Sequence, residues 1–293
     1  MPLLTCLMLA LMTTPDSYGD SVIQFDPGIG GSVGYDDPSN ALGPPTRFTV
    51  GGEVVSPFFP AWGTGDIVSI GAGGSITISF DEPVEDHPDN PYGIDLLVFG
   101  NTGCIDSSYP NGVHGGFFGA DGGEIEVSTD GAAWFAIEGT DADGLWPTMA
   151  FIDSPAYGFI GGNQPTSFVR PIDPSLGPDD LIGADYDALV EHYDGSGGGV
   201  GIDLAPLGLE SIRYVRVSVA SDAFFSPEVD AVADVVPNRP GDVNLDGFID
   251  IGDLLMVISN WNQSGTWSDA NGSGLVEVGD LLVVLAGWGA RPW

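Results

Sequence analysis

The chain has no lysine. Its 6 basic residues are all arginine and face 42 acidic ones over 293 residues, for a formal charge of −36. That balance excludes nucleic acid and anionic membranes as partners, because holding phosphate needs clustered Lys and Arg. The self-repulsion of so many carboxylates has to be offset by bound cations or by salt. Cysteine is equally scarce, with only Cys6 and Cys104 present. Cys6 lies in a short apolar run, Met1 to Met12, that is too short to span a bilayer and reads as the core of a secretory leader, although no Lys or Arg precedes it. The leader-like segment is placed at residues 1–19. Its removal would leave Cys104 alone, with no internal disulfide, so the fold has to rest on its core and its metals. Cys104 reads as a small buried hydrophobe, since no base accompanies it.

Helical periodicity is missing from residues 20–236. Short alternating runs replace it: Ile76, Ile78 and Phe80, then Ile125 and Val127, then Val215, Val217 and Val219, separated by Gly- and Pro-rich turns. This is the pattern of an all-β sandwich. Leu96-Leu97-Val98-Phe99 is continuously apolar and suits a central strand buried on both faces. Asp130-Gly131, between Ile125 and Ile137, predicts a hairpin with a tight turn.

Catalytic signatures are also lacking. His87, His114 and His192 stand among Gly, Pro and Asp at no metal-ligand spacing and read as turn-exposed, while Gly71-Ala72-Gly73-Gly74 has no following Lys to make a phosphate loop. Paired acids of the glycosidase kind arise by chance in so acidic a chain. The aromatics Phe58, Phe59, Trp62, Phe117, Phe118, Tyr186 and Tyr193 lie in loop-like stretches. They either cap the core or, at Trp62 above all, offer a platform on which a sugar stacks. Asp95, Glu228 and Asp230 would form a third, structural metal site if the middle and last strands were neighbours.

What the chain does have is one pattern written twice near its end. Asp242, Asn244, Asp246, Phe248, Asp250 and Asp253 occupy positions 1, 3, 5, 7, 9 and 12 of a loop, and Asp269, Asn271, Ser273, Leu275, Glu277 and Asp280 occupy the same positions 27 residues later. A hard cation such as Ca²⁺ takes six to eight oxygens, and a twelve-residue loop supplies them from these positions, Phe248 and Leu275 through their carbonyls. Gly247 and Gly274 fall at the sharp turn. Two calcium ions are therefore expected. Pro237, Pro240 and Gly241 forbid an entering helix of the EF-hand kind. Exiting helices are expected from Leu254, Val257, Ile258 and Trp261, and from Leu281, Val284, Leu285 and Trp288. Leu255, Leu282 and the two tryptophans would form the core shared between them.

Loops followed by helices, in duplicate and with Asp at position 12, resemble the type I dockerin module over residues 242–289. The resemblance implies a calcium-dependent domain that plugs its protein into a cohesin on a scaffold or cell surface. Cohesin-reading dockerins usually carry polar pairs at loop positions 10 and 11, where this chain has Ile251-Gly252 and Val278-Gly279, which leaves a cohesin or another surface protein open as partner. Ser128-Thr-Asp130-Gly131-Ala-Ala-Trp134 and Ile212-Arg213-Tyr214-Val215-Arg216-Val217 resemble the signatures of discoidin-type, galactose-binding-like jelly rolls. That likeness, with Asp37 to Pro45, Ile94 to Phe99 and Glu228 to Val232, implies an extracellular bacterial protein.

The expectation is thus a mainly β protein: leader-like residues 1–19, a jelly-roll β-sandwich at 20–236, a linker at 237–241 and a small α-helical calcium-binding dockerin-like module at 242–289. Its role would be non-catalytic attachment outside the cell or at its surface. The alternative is a carbohydrate-binding or glycoside-hydrolysing component of a polysaccharide-degrading system.

Overall fold

A computed structural model describes residues 17–237, 239–244, 248–264 and 268–289, without the side chain of Phe117. Most of the leader-like segment, with Cys6, therefore lies outside the described residues, as do Asp246 and Gly247. The strands are β1 (Ser21–Asp26), β2 (Val68–Ser69), β3 (Ser75–Glu85), β4 (Leu96–Phe99), β5 (Gly103–Asp106), β6 (His114–Gly119), β7 (Glu124–Ser128), β8 (Phe135–Ala136), β9 (Val200–Ile202), β10 (Ser211–Ser218), β11 (Glu228–Val229) and β12 (Ala231–Asp234). A five-stranded sheet in the order β1-β3-β10-β7-β8 faces a three-stranded sheet in the order β12-β4-β9, with two-stranded pairs β11-β2 and β5-β6 beside them.

The alternation read in the sequence explains why these sheets stack. Ile76 and Ile78 on β3, Ile125 and Val127 on β7, and Val215 and Val217 on β10 turn inward, where they meet Leu96, Val98, Val200, Ile202 and Val232 of the smaller sheet. β4 is buried along its whole length. Leu96 and Val98 face this core, whereas Leu97 and Phe99 point the other way onto Phe168, Val169, Ala231 and Ala233. Each such side chain contributes roughly 1.5–3 kcal/mol on full burial, so β4 serves two cores at once. Cys104 is buried, and loss of hydration pushes its thiol up to about 12.

The hairpin between β7 and β8 is present, with Val127 opposite Phe135. Its turn is wider than Asp130-Gly131 alone suggested. The Asp130 carboxylate accepts the Ala132 and Ala133 N–H groups at 2.8 and 2.9 Å, and Arg216 lies 4.0 Å over the Trp134 ring, so β8 begins only at Phe135. Ser17 and Gly19 are tied into the sandwich: Asp234 N donates to Ser17 O at 2.6 Å, and Gly19 N to Val232 O at 3.0 Å. A side chain on Gly19 would run into Ile78 and Val232.

Helix α1 (Tyr186–Tyr193) has no counterpart in the periodicity, because two turns are too short to display it. It starts where the Asp185 side chain caps Ala188 N at 3.0 Å. Tyr193 is fully buried and donates to Pro147 O at 2.7 Å, and Tyr186 and Phe118 are partly buried around the same small core. These aromatics, with buried Phe58, are packing residues, since each ring is shielded from water by the others. Trp62 differs, being 49% exposed with its ring edge against Phe59. His114 also departs from the turn-exposed reading. It lies on β6, 1% exposed, with Phe118 at 4.6 Å and Nδ1 accepting Gly116 N.

Candidate functional site

The C-terminal module is built on α2 (Ile251–Ser259) and α3 (Val278–Gly287). Each helix begins directly from a loop, and among the described residues none enters one. Asp250 and Glu277, at loop position 9, are the residues that cap the two helices. Gly274 takes φ +90° at the sharp turn of the second loop, a conformation open to glycine and poorly tolerated by other residues.

Asp253 and Asp280, at position 12, are both completely buried. In the first loop, Asp253 Oδ1 accepts Asn244 N at 3.1 Å and Val243 N at 2.6 Å, and Oδ2 accepts Asp250 N at 2.8 Å. In the second, Asp280 Oδ1 accepts Asn271 N at 3.0 Å and Oδ2 accepts Glu277 N at 2.7 Å. Asp269 joins its own loop together by accepting Ser273 N and Gly274 N at 2.9 and 2.6 Å. Asp253, Asp269 and Asp280 are thus held by their own loops, and the expected donor set is oxygen throughout. The buried carboxylates of Asp242, Asp253 and Asp280, among oxygen donors alone, suit a hard divalent cation, so the loops pass the chemical test for calcium.

The two repeats also share a core, though not the expected one. Buried Val243, Ile249, Val257, Val276 and Val284 pack with Leu254, Met256, Ala270 and Leu281. All but Met256 fall into matched pairs at loop positions 2, 8, 13 and 16 of the two copies. Leu255, Ile258 and Trp261, and likewise Leu282, Leu285 and Trp288, are instead 46–60% exposed. Helices this apolar carry two stripes, and periodicity alone cannot choose between them. The aspartates choose: with Asp253 turned into its loop, residues 254 and 257 follow it inward, and 255 and 258 swing to the far side. Gly241 completes the closure, at φ +101°, where a side chain would be strained and would press on the α3 backbone at Val283 and Val284.

Residues 240–286 match the family of the dockerin type I domain. This module is a type I dockerin. Dockerin domains of this type bind calcium and cohesin partners in general, and proteins that carry them are typically extracellular or at the cell surface. Among curated proteins none matches the chain. No helix among the described residues is long and apolar enough to cross a membrane.

In the sandwich the expected Asp95, Glu228 and Asp230 do not converge. β4 and β12 are neighbours as supposed, but they run antiparallel with Phe99 opposite Ala231 and Leu96 opposite Asp234. Asp95 therefore sits at the other end of the sheet, about 14 Å of strand away. There it accepts Asn90 Nδ2 at 2.8 Å and Leu204 N at 2.9 Å and fastens two loops. Asp230 accepts both the N–H and the hydroxyl of Thr46 at 2.9 Å. Glu228 instead meets two acids that sequence reasoning passed over, Asp121 and Asp143.

Proposed function

We infer that the chain is a secreted, non-catalytic attachment protein. Its dockerin, holding one calcium in each loop, fastens the jelly-roll sandwich to a cohesin-type partner in an extracellular or cell-surface assembly. In this reading the secretory leader lies within residues 1–19, ahead of Ser17 and Gly19, which belong with the sandwich of 20–236; 237–241 is the linker and 242–289 the plug. The observation that carries it is the pair of uncovered helix faces. Ile251, Leu255 and Ile258 on α2, and Val278, Leu282 and Leu285 on α3, are more than half exposed at identical repeat positions. Apolar patches of this kind on a small module mark a protein interface. Calcium would act by fixing Asp253 and Asp280, and with them the rotation of both helices.

The test is a pair of substitutions, Leu255→Asp and Leu282→Asp, made together in the full chain and read by calorimetry against type I cohesins. Affinity should fall at least 100-fold, with helix content in calcium unchanged. Undiminished binding would remove these faces from the interface. A second reading, sugar binding by the sandwich, rests on Trp62 standing half exposed at a loop, where indole faces stack on sugar rings.

A further inference from the structure

The outer face of the larger sheet repeats one arrangement and leaves its second copy incomplete. On β7 and β10, Glu126 stands opposite Arg216 and Glu124 opposite Ser218. Both pairs point away from the core, since Ile125, Val127, Val215 and Val217, which alternate with them, point into it. The first pair is closed: the guanidinium of Arg216 holds Glu126 Oε2 at 2.7 Å and lies 4.0 Å over the Trp134 ring. The second has the acid and the aromatics without the cation. Glu124 makes no ion pair among the described residues, Ser218 stands at the position corresponding to Arg216, and Phe224 and Phe225 supply the rings. With Asp121 and Ala223 these residues wall an open cleft of about 290 Å³.

The two phenylalanines are held out in water. Phe224 is 98% exposed and Phe225 67%. Their loop is tied down on both sides, Ala223 N donating to Ala220 O at 3.1 Å, Ser226 Oγ to Gly30 O at 3.3 Å and Ile70 N to Pro227 O at 3.0 Å. A single exposed apolar side chain is ordinary, but two adjacent rings over an acid-lined cleft form a patch with a definite chemistry. Ring faces beside carboxylates suit an organic cation, drawn to the rings by their quadrupole and to Glu124 and Asp121 by charge. The cleft is smaller than the usual small-molecule pocket and takes one or two side chains. A second copy of this chain is a poor source of them, because its 6 basic residues sit in a molecule of charge −36 that repels its own kind.

We propose that this cleft docks a basic segment of a different protein. An arginine or lysine of that partner lays its aliphatic stem on Phe224 and Phe225 and brings its charge to Glu124 and Asp121, completing the arrangement that Arg216, Trp134 and Glu126 already make beside it. The surface belongs to the sandwich and is separate from the exposed helix faces of the dockerin.

Fluorescence anisotropy of a labelled tetraarginine peptide, titrated with the full chain in calcium at physiological ionic strength, tests this. So acidic a chain attracts such a peptide everywhere, so the deciding variant is one that keeps the charge. Phe224→Ser together with Phe225→Ser should weaken binding about tenfold, the worth of two exposed ring–cation contacts. Glu124→Gln should weaken it as well. Both rings are exposed, so the melting temperature of the double variant should not move. Undiminished binding by the double variant would overturn the site and leave only diffuse attraction to the charged surface. Binding of cellotetraose that depends on the same two rings, with tetraarginine unaffected by their loss, would also overturn it and make the cleft a sugar platform.

Discussion

Asp253 and Asp280 are one residue written twice. Each is fully buried, each takes the N–H of loop position 3 on one oxygen and that of position 9 on the other, and the corresponding distances agree within 0.1 Å: 3.1 against 3.0 Å and 2.8 against 2.7 Å. Through position 9 each also engages the first turn of its helix. Filling a loop with calcium would therefore set its helix in the same event.

The loops differ in charge. Loop 1 brings four carboxylates, Asp242, Asp246, Asp250 and Asp253, of which Asp246 lies outside the described residues; loop 2 brings three, Asp269, Glu277 and Asp280, with Ser273 at position 5. Ligand charge tunes affinity in such loops, so loop 1 should fill first. In calorimetry, Asp253→Ala should delete the tighter dockerin step and Asp280→Ala the weaker one. With five buried apolar side chains among the described residues, the dockerin should lose α2 and α3 on chelation while the sandwich keeps its β signal. Exchanged roles for the two variants would contradict the charge argument.

A pH effect of unusual sign is built into the sandwich. Loss of hydration, with Asp95 before β4 and Glu85 on β3 adding their charges, pushes Asp234 from 3.8 up to about 8. The folded chain then holds that proton more tightly than the unfolded one. Between about pH 4 and pH 8 stability accordingly falls as pH rises, and it levels off above. The sandwich melt should drop between pH 5 and pH 8, and Asp234→Asn should lessen that slope without abolishing it, since burial also raises Asp143, Glu228 and Asp230, to about 6, 7 and 7. A melt that rises over the same range with both proteins would refute it.

Trp62 and Tyr193 should separate binding from packing. Trp62 is half exposed, so Trp62→Ala should change stability by less than about 0.5 kcal/mol. Tyr193 is fully enclosed and hydrogen-bonded, so Tyr193→Ala should cost about 3–5 kcal/mol in denaturant unfolding. A glycan array comparing wild type with Trp62→Ala then reads the platform directly. Sugar binding that survives the substitution would exclude it.

The sandwich was legible where burial is one-sided or complete: the alternation in β3, β7 and β10 and the apolar run of β4 report their environments without help from the rest of the chain. The dockerin repeats were legible because their spacing is local. Long-range registers left no such trace. Nothing in the sequence says that β12 meets β4 with Ala231 opposite Phe99, and that register is what parts Asp95 from Glu228 and brings Asp121 and Asp143 to it. The helix faces misled for another reason. Leu254 and Leu255 are chemically identical neighbours, and only the inward turn of Asp253 decides which of them meets the core.

Attachment that depends on calcium is the central claim, and surface plasmon resonance of the full chain over a panel of immobilised type I cohesins tests it most directly. The account predicts binding in calcium that disappears in EGTA and returns when calcium is restored. Binding of equal strength in calcium and in EGTA, or none to any cohesin, would contradict it.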